Sequence, residues 1–152
     1  MSVPYDTIFV PQTTSRQVRP YIYDGAGNDL KVTGLTGSVS NNMLVEKSGI
    51  TSGFTQGYYQ GSLYDTITIS YNNSQGFNTL ERVGVLYEKD YNANVTGTQN
   101  ISYPGDSGGP IFSKFGNNAI IFGTLAGGDG EGTVSFIYGT DIRDELGVVP
   151  LK

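Results

Sequence analysis

Residues 103–112 read YPGDSGGPIF. Ser107 stands between an aspartate and two glycines, with Gly105 two places before it and Pro110 three places after. Glycines this dense mark a backbone that turns tightly or is closely approached. In such a bend successive N–H groups can point to one side and form an anion-binding concavity. A hydroxyl beside such donors suits acyl transfer. The hydroxyl attacks and the donors stabilise the oxyanion, by about 2.7–4 kcal/mol per donor. The plainer alternative is a glycine-rich β-turn that carries an exposed serine.

Working outward, the flanking segments read as short strands. "GPIFSK" and "AIIFGTL" are apolar and brief, and "FGNN" between them is a turn. "GTVSFIYGT" is a further strand, as is "ERVGVLYEKDY". In "LYDTITISY", Leu63, Asp65, Ile67 and Ile69 alternate with Tyr64, Thr66, Thr68 and Ser70, which predicts a strand with one buried face. "DGAGND" at residues 24–29 joins two β-type segments, and its Asp-Gly is a hairpin signal. "DIRDELGV" alone has a helical pattern, with Asp141 placed to cap its start and Gly147 to end it. Roughly six to eight strands in this spacing predict an all-β barrel or sandwich. "PQTTSRQVRP", with proline at both ends, predicts an extended connector.

With 152 residues the chain suffices for one domain of ordinary size. Its net charge of −5 offers no electrostatic footprint for nucleic acid or anionic lipid. The absence of cysteine removes disulfides and thiolate chemistry. With no histidine either, no metal site is expected; "GGDGEG" at residues 127–132 reads as a solvent loop rather than a calcium loop. Nothing calls for a cofactor. No apolar run approaches the ~20 residues of a membrane span. Met1 to Asp6 has neither the basic start nor the apolar centre of a signal peptide. Abundant Asn, Thr, Ser and Gly, with sequons at Asn72, Asn94 and Asn100, lead us to expect an extracellular or cell-surface protein.

"GDSGGP" resembles the active-site serine motif of chymotrypsin-like (trypsin-fold) serine peptidases, closest in character to the bacterial members. "VEKSGITSGFTQG" at residues 45–57 resembles their early C-terminal-barrel hairpin. "IIFGTLAGG" at 120–128 resembles the strand lining the primary specificity pocket, and "FIYGTDIRDELGV" at 136–148 the closing strand and helix. The resemblance implies an antiparallel six-stranded Greek-key barrel of trypsin-like type with a short C-terminal helix, over residues 33–152. Residues 1–32 are then a connector, and the N-terminal barrel is missing.

Residue by residue, the resemblance makes Ser107 the nucleophile and the N–H groups of Gly105 and Ser107 the oxyanion hole. Asp106 matches a buried aspartate paired with a cation, either a freed N-terminal amine or an arginine. Ala126, Gly127 and Gly128 match the pocket wall that pairs with the substrate backbone, and Ile101 falls near the pocket floor. An apolar floor between glycines would suit a neutral or apolar side chain and offers nothing to Lys or Arg. "YDTIFVP" at residues 5–11 resembles the segment of the triad aspartate, which would make Asp6 the orienter; a surface charge beside a short strand is the alternative.

No residue of the chain matches the family's histidine. Without a base, a serine hydroxyl is a poor nucleophile at neutral pH, and loss of the histidine from such a unit costs on the order of 10⁶ in kcat. The lysines Lys31, Lys47, Lys89, Lys114 and Lys152 are the other candidate bases; Lys114 in "IFSKFG" has the most apolar surroundings. The expected partners are therefore a peptide substrate and an N-terminal barrel or partner chain that brings the histidine. Such a chain is not expected to be active alone. A barrel without its mate must bury an apolar face against a partner or under residues 1–32. The competing expectation is a non-catalytic β-barrel module for binding or assembly at a cell or particle surface.

Overall fold

In the computed structural model, residues 19–69, 76–88, 101–130 and 132–148 are described. Eight strands and one helix follow in order: β1 (Tyr21–Tyr23), β2 (Asp29–Leu35), β3 (Leu44–Gly49), β4 (Gly53–Ile69), β5 (Phe77–Glu88), β6 (Pro110–Phe115), β7 (Asn118–Gly128), β8 (Thr133–Tyr138) and α1 (Gly139–Leu146). Three consecutive antiparallel strands, β3, β4 and β5, are followed by β6, which returns to lie beside β3. That is a Greek key. β6, β7 and β8 form a second meander, and β8 pairs with β5. The ring β3–β4–β5–β8–β7–β6 therefore closes as a six-stranded barrel, as expected.

Alternation fills the ring. Val45, Leu86, Ile101, Ile111, Phe122, Leu125, Val134 and Phe136 form its buried core with Tyr59 and Tyr138. The two tyrosine hydroxyls share a buried hydrogen bond of 2.6 Å. Gly84 is required by this packing. A Cβ there would lie 2.2 Å from Phe136 Cζ and 2.3 Å from Cε1, inside the ring. Gly84→Ala is expected to lower stability by about 1–3 kcal/mol through overpacking. A urea midpoint that falls at constant m-value checks this.

β1 and β2 form the hairpin expected around "DGAGND", with Asp24 Oδ1 accepting from the N–H groups of Ala26 (2.9 Å) and Asn28 (3.0 Å). The hairpin lies outside the ring. Ile22, Leu30 and Val32 pack with Phe112 and Ala119 in a second, smaller cluster. β2 also runs parallel to the first half of β7, Lys31–Leu35 against Asn118–Ile121. The boundary expected between residues 32 and 33 falls inside this strand.

The alternating stretch in β4 differs from expectation. The β3–β4 ladder ends at Tyr58, β8 accompanies β5 only from Val83, opposite Leu63, and from Tyr64 outward β4 and β5 continue as a two-stranded ribbon. Leu63 and Tyr64 are 48% and 69% exposed, so the alternation in this half of β4 does not mark a core face, although Thr79 and Glu81 opposite it on β5 are buried. The helix also starts earlier than its pattern indicates. Tyr138 precedes it without a side-chain cap, and Asp141 lies in its first turn, where Arg82 grips it in a two-pronged ion pair of 2.9 and 2.6 Å. Gly147, at φ 64°, ends the helix as expected.

Candidate active site

The serine loop fills the gap between Ile101 and the start of β6. Gly105 has φ 103° and Gly108 φ 83°, conformations that side-chain-bearing residues rarely adopt. A Cβ on Gly105 would also meet Thr51 Oγ1 at 2.7 Å. The Asp106 N–H donates to Tyr103 O (3.0 Å), the Gly109 N–H to Asp106 O (2.9 Å) and the Gly108 N–H to Leu125 O (2.8 Å). Among the described residues, the N–H groups of Gly105 and Ser107 meet no acceptor. Ser107 is exposed and opens into a cavity of about 370 Å³, whose walls include Ser102, Tyr103, Leu125, Gly127, Gly128 and Asp129.

Asp106 points the other way, into the barrel end, and is 1% exposed. Its carboxylate accepts from five donors: Ser52 Oγ (2.5 Å), Thr51 N (2.8 Å), Ser52 N (3.1 Å), Tyr103 N (3.0 Å) and Lys47 Nζ (3.0 Å). Burial alone would push this carboxyl up, but the hydrogen bonds from Ser52, Tyr103, Lys47 and Thr51 outweigh it and hold it well below the usual carboxylate range. Lys47 is fully buried, and its ammonium also donates to Ser52 Oγ and to Gly53 O (3.4 Å). Burial pushes the Lys47 ammonium down from its ordinary value, while Asp106 pulls it up.

The cation beside Asp106 is thus a lysine, where an N-terminal amine or an arginine was expected. Lys47 reaches it because β3 alternates. Val45 faces the core, Glu46 turns to the opposite face, where it is also buried and accepts from the Lys114 N–H, and Lys47 returns to the Val45 side at the barrel end. The most apolar lysine by sequence context, Lys114, instead sits on β6 with its ammonium 2.7 Å from Asp24 Oδ2, outside the ring.

Ile101 requires a correction. It is 1% exposed in the main core, where its Cδ1 presses on the position a Cβ of Gly57 would take (2.7 Å). Its neighbour Ser102 lines the cavity in its place. Gly127 and Gly128 line the cavity, whereas Ala126 lines a neighbouring one instead. Along 125–128, β7 pairs with β8 on one edge, while β6 accompanies it only as far as Thr124. Past Leu125, which exchanges bonds with Gly108 and Gly109, that second edge is open to a further strand. Asp6 and the sequons at Asn72, Asn94 and Asn100 lie outside the described residues. Ser102 and Asp129 are the site residues that sequence reasoning missed, and Lys47, named there only as a candidate base, is instead the cation paired with Asp106.

No family model matches the sequence, and no curated protein matches it. Solved structures do. A glutamic acid specific serine protease, described as using a novel histidine triad in substrate binding, superimposes with TM-score 0.64 at 17% identity, over 91% of this chain and 64% of that one. The chymotrypsin of Cellulomonas bogoriensis gives 0.62 at 21% identity, over 91% and 66%. Protease A of Thermobifida fusca gives 0.60 at 22% identity, over 89% and 62%. The chain therefore spans 62–66% of the length of these proteins. Ring closure, strand order and these superpositions agree: the chain has a trypsin-like fold.

Proposed function

We propose that this chain is the nucleophile-bearing barrel of a trypsin-like serine endopeptidase and that another polypeptide segment brings its histidine. One observation carries the reading. Ser107 stands exposed in a glycine bend with the N–H groups of Gly105 and Ser107 uncommitted, while Asp106 anchors that bend from beneath. In the reaction, Ser107 Oγ attacks a peptide carbonyl carbon and its proton passes to the incoming imidazole. The carbonyl oxygen becomes an oxyanion facing the two amides. The C–N bond breaks, the imidazolium protonates the departing amine, and water then hydrolyses the acyl-enzyme. The substrate strand lies along the open edge of β7 at 126–128. Asp6 would orient the imidazole.

No described lysine fits as a substitute base. Lys47 is committed to Asp106 and Lys114 to Asp24, and neither they nor Lys31 line the Ser107 cavity; Lys89 and Lys152 lie outside the described residues. An extracellular or surface location belongs to the same reading and rests on composition; among the described residues no helix is long and apolar enough to cross a membrane.

A fluorophosphonate reagent tests the nucleophile. The expected result is one adduct, located on Ser107 by peptide mass spectrometry and lost in Ser107→Ala. No adduct at mildly alkaline pH, and none after a histidine-bearing segment is added, would leave the non-catalytic module as the better account.

A further inference from the structure

A cavity of about 570 Å³ lies outside the ring, between the β1–β2 turn and the strands β3, β4 and β6. It shares no lining residue with the cavity at Ser107. Tyr23, Asp24, Glu46, Phe54, Gln56 and Lys114 line it. The turn closes on Phe54 because Gly25, at φ 76°, carries no side chain; a Cβ there would lie 2.5 Å from Phe54 Cβ.

The charges of this cavity do not cancel. Asp24 Oδ1 accepts from the N–H groups of Ala26 and Asn28, and its Oδ2 from the Asn28 amide (3.0 Å) and the Lys114 ammonium (2.7 Å). A carboxylate has about four acceptor positions, so Asp24 is filled and neutralises Lys114. Glu46 is left over, and it is 8% exposed. Its Oε2 accepts from the Lys114 N–H (3.0 Å), while its Oε1 has only the Gln56 amide at 3.5 Å, the outer limit of a hydrogen bond. Among the described residues no cation stands at ion-pair distance from it. Burial pushes the Glu46 carboxyl up, and its hydrogen bonds and the Lys114 charge offset this only in part.

A buried carboxylate without a counter-charge is a costly group, and this one faces a cavity that also holds two aromatic residues. Its complement is a planar cation that is weakly hydrated, can donate to Oε1 and can lie against Tyr23 or Phe54. An ammonium is more strongly hydrated and has no flat face. We propose that this cavity is a docking site for an arginine side chain of a partner polypeptide. The cavity is much larger than a guanidinium group needs, which leaves room for the residues beside the arginine. Among the described residues β1 pairs only with β2, so its other edge, which ends at Tyr23, is open to that partner's backbone. The site does not depend on the peptidase reading.

The test is a titration of the isotope-labelled whole chain, followed by nuclear magnetic resonance. The probes are the capped peptide Gly-Gly-Arg-Gly-Gly, the same peptide with neutral citrulline for arginine, and agmatine, a free guanidinium compound. The arginine peptide is expected to shift the backbone amide of Lys114 and to bind about tenfold or more tightly than the citrulline peptide, as a charge-assisted contact should. Glu46→Gln keeps an acceptor for the Lys114 N–H and is expected to erase that preference. Tyr23→Ala, at a side chain that is 54% exposed, is expected to weaken arginine binding about two- to fivefold. Unchanged unfolding midpoints show that the variants are folded. Equal binding of the two peptides, a preference that survives in Glu46→Gln, or shifts confined to the Ser107 loop would overturn the site. Should Glu46→Gln fail to fold, Tyr23→Ala decides, and unchanged arginine affinity there overturns it. Tighter binding of the arginine peptide than of agmatine supports a polypeptide partner; agmatine binding as tightly overturns that partner and assigns the cavity to a free organic cation.

Discussion

In the chain alone, Ser107 is expected to react with a fluorophosphonate at a rate that climbs about tenfold per pH unit from roughly pH 7 to 9, with no inflection near the usual histidine pKa of about 6.5. The described walls of the cavity around Ser107 contain no histidine and no lysine to take its proton. Only the small alkoxide fraction attacks, and that fraction follows hydroxide. A histidine delivered within about 3 Å of Oγ changes the order of the reaction. The rate then levels off above the imidazole pKa and rises by up to about 10⁶ at neutral pH. The histidine-bearing half of a structurally similar protease, co-expressed with this chain, is a practical donor. The measurement is the pseudo-first-order labelling rate across pH, with and without the donor. An inflection near neutrality in the chain alone would show that a base already stands beside Ser107 and would refute the division of labour proposed here.

The serine loop was the most readable part of the sequence because its conformations leave little choice. Gly105 and Gly108 occupy positive φ, and a side chain on Gly105 would strike Thr51. Barrel strands were readable for a similar reason. Short apolar runs such as "AIIFGTL" must be buried on at least one side, and turns at "FGNN" and "DGAGND" punctuate them.

What escaped depended on distant partners. The parallel pairing of β2 with β7 joins residues 86 or 87 positions apart, and nothing local to "DLKV" encodes it. The ribbon half of β4 alternates like a core strand, yet its burial depends on where β3 and β8 stop. The pairing of Lys47 with Asp106 is hidden locally because its neighbours Glu46 and Ser48 are polar. Alternation from Val45 was the signal that would have turned it inward, toward an aspartate 59 positions away. A one-residue difference moved the pocket wall from Ile101 to Ser102, since adjacent residues in extended chain face opposite sides.

That buried pair carries the second large prediction. Asp106→Asn keeps the shape of the side chain but leaves the Lys47 ammonium buried without a counter-charge. Breaking such a pair on one side costs about 3–5 kcal/mol, a large share of the roughly 5–15 kcal/mol that holds a domain folded. Lys47→Met is expected to cost less. It leaves the carboxylate with Ser52 Oγ and the N–H groups of Thr51, Ser52 and Tyr103. Combining Asp106→Asn with Lys47→Met should restore only part of the stability: the amide Oδ1 can still accept from the Thr51 and Ser52 N–H groups, but the Tyr103 N–H, which donates to Oδ2, then faces an NH2 group. The folded Asp106 is more acidic than an unfolded aspartate, whose pKa is about 3.9. Its contribution is therefore present in full above that value and fades as the pH falls through the lower, folded one. Urea unfolding from about pH 6 down to pH 2.5 should show a steep acid limb in the native sequence and a shallower one in Asp106→Asn. Equal destabilisation by Lys47→Met and Asp106→Asn, with unchanged acid limbs, would mean that the ion pair, rather than the five-donor carboxylate, anchors the serine loop.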